Sequence, residues 1–207
     1  MPIRKYKNKL LNISDITIKK IKAGDLADDL PEIYELKDVI ENTIGHINKS
    51  VFDHTIDVLE NLEKLINKNN KKQQLLILAT LFHDIGKKET LMTKEGKTFC
   101  PRHELAGAEK TANILKRFNL SPVEKDYIIR IITNHGRLHD FMDKANRKNL
   151  EVEYNEEIKE IKDIIYEILL LTKSDTMGSD LKKDSPNEYN FRMNFYDKAL
   201  KELGQNA

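Results

Sequence analysis

The sequence predicts an all-α domain, a helical bundle with one small β-hairpin near 91–99. Three observations predict the helical class. Punctuating residues are sparse, with 8 Gly and 5 Pro in 207 residues; apolar residues recur at 3.6-residue spacing; and strand-like alternation is scarce. The spacing predicts helices near 14–22, 32–44, 50–68, 72–84, 101–117, 122–135, 155–175 and 187–203.

Two of these helices announce their starts. Ser121-Pro122-Val123-Glu124 and Ser185-Pro186-Asn187-Glu188 each offer Ser as N-cap, Pro at the first helical position and Glu to close a capping box. Leu75-Leu76-Ile77-Leu78-Ala79-Thr80-Leu81-Phe82 is apolar on nearly every side, as expected of a helix packed all round at the centre of the core. Between Glu89 and Cys100, the segment Leu91 to Phe99 reads as a hairpin turning at Glu95-Gly96. With no repeat, low-complexity tract or Pro/Ser-rich linker, the expected organisation has three parts. These are a basic, helical N-terminal extension over 1–30, one domain over 31–180, and a C-terminal helix over 181–207 packed on that domain.

Composition limits the function classes. One cysteine, Cys100, excludes an internal disulfide framework and suits a reducing compartment. Apolar runs such as Leu75–Leu78 and Ile168–Leu171 fall far short of the roughly 18 residues of a membrane span. The N-terminal cluster Arg4, Lys5, Lys7 and Lys9 is followed by no h-region, so a cytoplasmic protein without membrane partners is expected. A net charge of +1 conceals blocks: residues 1–22 carry seven basic residues against one acidic, 23–63 two against eleven, and 64–102 nine against three. Such blocks suit solvated helix surfaces, and the basic ones leave room for weak RNA contact.

Ligand-type residues fall on the apolar sides of separate helices. His54 lies on the stripe Val51, Thr55, Val58 and Leu62; His135 follows Ile128, Ile131 and Ile132; Asp175 follows Ile164, Ile168 and Leu171. His83-Asp84 closes the all-apolar helix, where a desolvated pair costs several kcal/mol unless paired or metal-bound. His103 sits in the first turn after Pro101, on one face with the small residues Ala106 and Gly107, which permit close approach. Taken singly, each is a core histidine or a capping Asp. Jointly, four of six histidines and two aspartates at interior helix ends point to a metal site in a bundle core. Imidazole plus carboxylate without thiolate suits one or two divalent ions of the Mn, Fe, Co, Ni, Mg or Zn kind, and not a structural zinc knot.

His54, the His83-Asp84 pair in the run H-D-I-G-K, and Asp175 resemble the H…HD…D signature of HD-domain metal-dependent phosphohydrolases. With His103 and His135 inserted, the order resembles that of the superfamily's two-metal members. The stretches Leu30 to Leu36, Val51 to Leu59 and Arg102 to Glu109 look like the HD domain of tRNA nucleotidyltransferases of the CCA-adding and poly(A) polymerase-like group. The resemblance covers roughly residues 30–180. No nucleotidyltransferase head is seen, Arg102 stands where that group commonly has Gly, and the residues after Asp175 match nothing.

The resemblance implies a metal-dependent phosphatase or phosphodiesterase acting on a phosphomonoester or 2′,3′-cyclic phosphodiester of a nucleotide or RNA end. A 5′-deoxynucleotidase and a non-catalytic RNA-binding module with a vestigial site are the alternatives. His54, His83, Asp84 and Asp175 would hold one metal, and Asp84, His103 and His135 a second. Asp84 and Lys87 are the expected catalytic pair, with Lys87, Arg102 and Arg137 as substrate-phosphate contacts. Glu104 and Asp57 are candidates to orient an imidazole. His46 and His139 have no pattern behind them and read as structural or exposed. The oligomeric state is not legible in the sequence.

Overall fold

The computed structural model describes residues 10–43, 45–66, 70–145 and 147–205. Its elements in order are α1 (Ile18–Ala23), α2 (Pro31–Tyr34), β1 (Ile40–Thr43), β2 (His46–Ser50), α3 (Val51–Leu65), α4 (Lys71–Phe82) and α5 (Lys87–Thr90). Then come β3 (Met92–Lys94), β4 (Lys97–Phe99), α6 (His103–Ile114), α7 (Pro122–Asn134), α8 (Arg137–Lys144), α9 (Leu150–Glu157), α10 (Ile165–Gly178), α11 (Leu181–Asp184) and α12 (Pro186–Gln205). The fold is all-α apart from two short antiparallel pairs, β1–β2 and β3–β4.

Helix α4 is the central element, as its all-round apolar sequence requires: Leu76, Leu78 and Ala79 have no exposed surface. Helices α3 and α10 lie against each other, and Gly178 is what lets them meet, since a Cβ there would stand 3.0 Å from Val58 Cγ2. Helices α6 and α7 form a second pair, with α7 also packed on α4. The expected capping box opens α7: Ser121 Oγ accepts from the Glu124 amide at 3.3 Å, and the Ser121 amide donates to Glu124 Oε2 at 2.8 Å. Ser50 caps α3 in the same way, accepting from the Asp53 amide at 3.0 Å. Within the described part of the N-terminal segment, Ile16, Ile21, Leu26 and Leu30 enter the common core. Tyr196 of α12, against α10, is wholly buried.

Three expectations need correction. The helix expected over 32–44 stops early. Residues 31–34 form α2, a 3₁₀ turn continues over Glu35–Asp38, and the chain then becomes β1. Pairing decides this: Ile40 to Thr43 align with Ser50 to His46, while the Asn42 amide donates to Thr98 Oγ1 and Asn42 Nδ2 to the Gly96 carbonyl, both at 2.7 Å. The two hairpins are thus tied together, and tertiary pairing outweighs local helical spacing. The helix expected over 155–175 divides into α9, a 3₁₀ turn and α10. The helix expected over 14–22 is a 3₁₀ turn, Ile13–Asp15, followed by α1. The hairpin near 91–99 forms where expected, with Glu95 and Gly96 at φ 52° and 76°, the turn geometry that Gly favours. An unexpected helix, α8, follows directly after His135.

Candidate metal centre

Each interior histidine is aimed by the backbone of its own helix end. His83 Nδ1 donates to the Thr80 carbonyl at 2.7 Å, His135 Nδ1 to the Ile132 carbonyl at 2.7 Å, and His103 Nδ1 to the Cys100 carbonyl at 2.9 Å. A ring whose Nδ1 carries the proton presents a lone pair at Nε2, the tautomer that a metal ligand needs. These three Nε2 atoms converge on Asp84. His83 Nε2 stands 3.2 Å from Asp84 Oδ2, with His54 Nε2 at 3.7 Å from the same oxygen. His103 Nε2 and His135 Nε2 stand 3.3 and 3.6 Å from the other oxygen, Oδ1.

The arrangement divides into two groups whose donor atoms lie within 4.8 Å of one another: His54, His83 and Asp84, and Asp84, His103 and His135. Asp175 joins from α10, its Oδ1 at 2.9 Å from His54 Nε2. Its other oxygen is held at 2.9 Å by His139 Nε2.

The spacing between the groups is set by glycine. Gly86 follows His83-Asp84 at the end of α4, and a Cβ there would lie 2.3 Å from the His103 carbonyl oxygen and 2.4 Å from the Gly107 amide nitrogen. Only a residue without a side chain lets the H-D-I-G turn rest directly on the first turns of α6. The small residues noted beside His103 serve this contact.

Several donor atoms here are buried without a well-directed hydrogen bond: His54 Nε2, His83 Nε2 and Asp84 Oδ2. His103 Nε2 and His135 Nε2 face each other at 3.2 Å although both Nδ1 atoms already donate to carbonyls, so with both rings neutral two lone pairs oppose across that gap. Asp84, Asp175 and Glu41 bring three carboxylates against one ammonium, Lys87. Orphaned donors, opposed lone pairs and excess negative charge all fit divalent cations bound among these side chains.

Lys87 is buried, not free. Its Nζ lies 2.9 Å from Asp84 Oδ2 and 2.9 Å from both oxygens of Glu41 on β1. Burial works to lower its pKa, but Asp84 and Glu41 outweigh burial and hold it above its ordinary value. Burial likewise works to raise the Asp84 carboxyl, and His83 and Lys87 beside it hold it well below the usual carboxylate range. Asp175 is depressed too, His139 and His54 overcoming its burial.

The centre opens into a cavity of about 680 Å³, in the range of ligand sites. Its inner end is lined by Asp84, Lys87, His103, His135 and Asp175, and its outer wall by α8, α11 and α12 with Arg147, Glu188 and Arg192. Arg192 is buried, its Nε donating to Glu188 Oε1 at 2.9 Å and its Nη2 to Asp143.

Other expectations change. Arg102 is exposed, outside the cavity lining, and in the left-handed region at φ 58°. Glycine adopts that conformation without steric cost, whereas an arginine there is strained. Arg137 turns to Glu157 at 2.6 Å and Glu160 at 3.4 Å, also outside the cavity lining. Asp57 pairs with Lys49 at 2.7 Å and orients no imidazole. Glu104 does line the cavity, but its carboxylate is 3.7 Å from His103 Nδ1, which the nearer Cys100 carbonyl holds.

His46 and His139, set aside in the sequence, both line the cavity. His46 packs edge-on to His54 at 4.4 Å between ring centroids. Burial, then His54 and Lys87, push its pKa down to about 3, so its ring is neutral. A four-residue spacing from His135 was the one signal for His139. Glu41 had none, because its strand was not foreseen.

A helical bundle that gathers imidazoles and carboxylates from facing helices around a shared aspartate is of the class whose core can hold metal ions. The HD domain family model matches residues 51–168, over half of the chain. The chain belongs to that family, which lies in the metal-dependent phosphohydrolase superfamily. It is also 29% identical over 122 residues to an A-adding tRNA nucleotidyltransferase of Deinococcus radiodurans, a match spanning 58% of this chain and 26% of that protein. The chain thus matches about a quarter of that relative's length. Among the described residues, no helix is long and apolar enough to cross a membrane.

Proposed function

We propose that this protein is a divalent-metal-dependent phosphohydrolase acting on a phosphomonoester or 2′,3′-cyclic phosphodiester of a nucleotide or RNA end. The observation that carries the reading is the double aspect of Asp84: one oxygen faces His54 and His83, the other His103 and His135. One carboxylate so placed suits a bridge between two cations. His54, His83, Asp84 and Asp175 would hold the first, and Asp84, His103 and His135 the second. Bound there, divalent cations supply Lewis acidity toward a phosphoryl oxygen and a source of hydroxide at neutral pH.

The chain's own groups supply the rest. Lys87, tied to Glu41, fixes the aim of Asp84 and offsets part of the carboxylate charge, a different task from that of a free phosphate hook. His139 holds the outer oxygen of Asp175 and so sets which oxygen faces His54. The His46 ring, its pKa pushed down by burial, adds a polar wall to the cavity beside His54.

The nucleotide or RNA-end substrate is supported by the similarity to a tRNA nucleotidyltransferase. The reading is tested with purified protein loaded with Mn, Co, Ni, Fe, Zn or Mg. The substrates are a generic phosphoester, 2′,3′-cyclic nucleotides and 5′-nucleotides, with Asp84→Ala as control. Turnover that follows the metal and vanishes in the variant is expected. A preference for deoxyribose monophosphates would select the deoxynucleotidase alternative, and RNA binding with no turnover under any metal would overturn the enzymatic reading.

A further inference from the structure

A second cavity, of about 520 Å³, lies between α9 and α12. Its walls combine aromatic and aliphatic side chains, Phe191, Phe195, Tyr154, Leu150 and Val152 among them, with a rim of polar and charged ones. Arg147 lines both this cavity and the one over the metal centre. Its guanidinium is stacked over the Phe191 ring, 4.1 Å from the centroid, while Nη2 donates to Glu188 at 2.6 Å. Arg147 thus stands between the cavity over the metal centre and the aromatic-walled one.

Two further observations suggest that the aromatic chamber receives a ligand. The Tyr154 hydroxyl is buried and has no hydrogen-bond partner, although a buried hydroxyl ordinarily has one. Val152 is 69% exposed on the wall of the same hollow. The Tyr154 and Phe195 rings meet edge to face with centroids 5.1 Å apart, and Lys148, Asn149, Glu151, Asn194, Lys198 and Glu202 complete the lining around the aromatic faces. Aromatic faces, one orphan donor and a cation on the threshold are the elements with which proteins hold a base beside its phosphate.

We propose that the cavity between α9 and α12 is a nucleobase subsite, taking the base of the nucleotide next to the reacting end while Arg147 meets the phosphate that joins the two. The proposal rests on the nucleotide reading above and deepens it, making an oligonucleotide end, rather than a free mononucleotide, the preferred substrate class.

The test compares a 2′,3′-cyclic mononucleotide with a dinucleotide carrying the same terminal group and 2-aminopurine at the inner base. Both turnover and fluorescence quenching on binding are read, with the metal-loaded protein and a generic phosphoester as reference. Stacking on aromatic side chains typically changes binding by about tenfold per base. The dinucleotide is therefore expected to bind about tenfold tighter than the mononucleotide, with quenched fluorescence. Phe191→Ala and the exposed-site variant Val152→Glu should erase that advantage and leave generic phosphoester turnover within about twofold. Tyr154→Phe removes only the orphan hydroxyl, so it should weaken dinucleotide binding without lowering the melting temperature. A purely structural Tyr154 would not give that pairing.

Equal binding of both nucleotides in the parent, unchanged in the three variants, would overturn the subsite and leave the nucleotide reading standing. Turnover of the generic phosphoester with no binding of either nucleotide would overturn both.

Discussion

The two ends of the metal-centre cavity are built differently. At the inner end, His54, His83, Asp84 and His135 are each no more than 3% exposed, and His83 and His135, like the less buried His103, are aimed by a backbone carbonyl one turn back. At the outer end, Arg147, Glu188, Arg192 and Asp143 are long or exposed side chains aimed by one another through ion pairs. Backbone-aimed groups hold fixed positions, whereas side chains held by mutual pairing can exchange partners when a charged substrate arrives. The inner end therefore fits the constant part of a reaction, the phosphoryl group and its cations, and the outer end fits the variable part, the substrate's remaining bulk.

The sharpest test of this division is Asp84→Asn against Arg192→Met. Partners that merely orient a metal ligand are worth about 10–100-fold in metal affinity or activity. Losing the one aspartate that faces both imidazole groups should therefore cost more than about 100-fold, both in generic phosphoester turnover and in cation affinity measured by calorimetry. Arg192→Met should change generic turnover far less and alter mainly the ranking of nucleotide substrates. Equal losses in the two variants would dissolve the distinction between the ends.

Gly86→Ala changes no ligand, yet a Cβ there collides with backbone atoms that have little room to give. Overpacking of this kind is expected to cost about 3 kcal/mol, visible as a lower midpoint in urea unfolding and accompanied by weakened cation binding. A variant as stable as the parent would show that the H-D-I-G turn and α6 separate easily. A smaller effect is expected from His139→Asn, which releases the outer oxygen of Asp175: cation affinity about tenfold lower with little change in melting temperature. The smallest is Arg102→Gly. Relief of a left-handed non-glycine residue should stabilise the protein by about 1 kcal/mol and leave turnover unchanged, because the arginine lies outside the cavity lining.

The inner end was largely legible in the sequence because its evidence is local. His54, His135 and Asp175 each sit in register with the apolar stripe of a single helix, and His83-Asp84 ends a helix with no polar face. The helices themselves follow from the same periodicity and from caps such as Ser121 with Glu124. What escaped depends on contacts between distant segments. Glu41 reaches Lys87 only because β1 pairs with β2 and with the second hairpin, 56 residues away at Thr98. Arg192 reaches the cavity from the part of the chain with no recognisable pattern, brought there by α12 packing on α10, and Arg147 reaches it from the connection between α8 and α9, which no periodicity places. Arg102 and Arg137 show the converse: nearness in sequence to His103 and His135 made them candidates, while in the fold neither lines the cavity and Arg137 pairs with Glu157 and Glu160.

The seating of Gly86 on Gly107 carries a consequence for how such a centre is inherited. Because main chain touches main chain at that point, the distance from the His83-Asp84 turn to His103 depends little on the volumes of the surrounding core residues. Leucines and isoleucines around it are free to drift over generations while the distance offered to a pair of ions stays calibrated, and adaptation to another substrate can proceed entirely in the distant helices that roof the chamber.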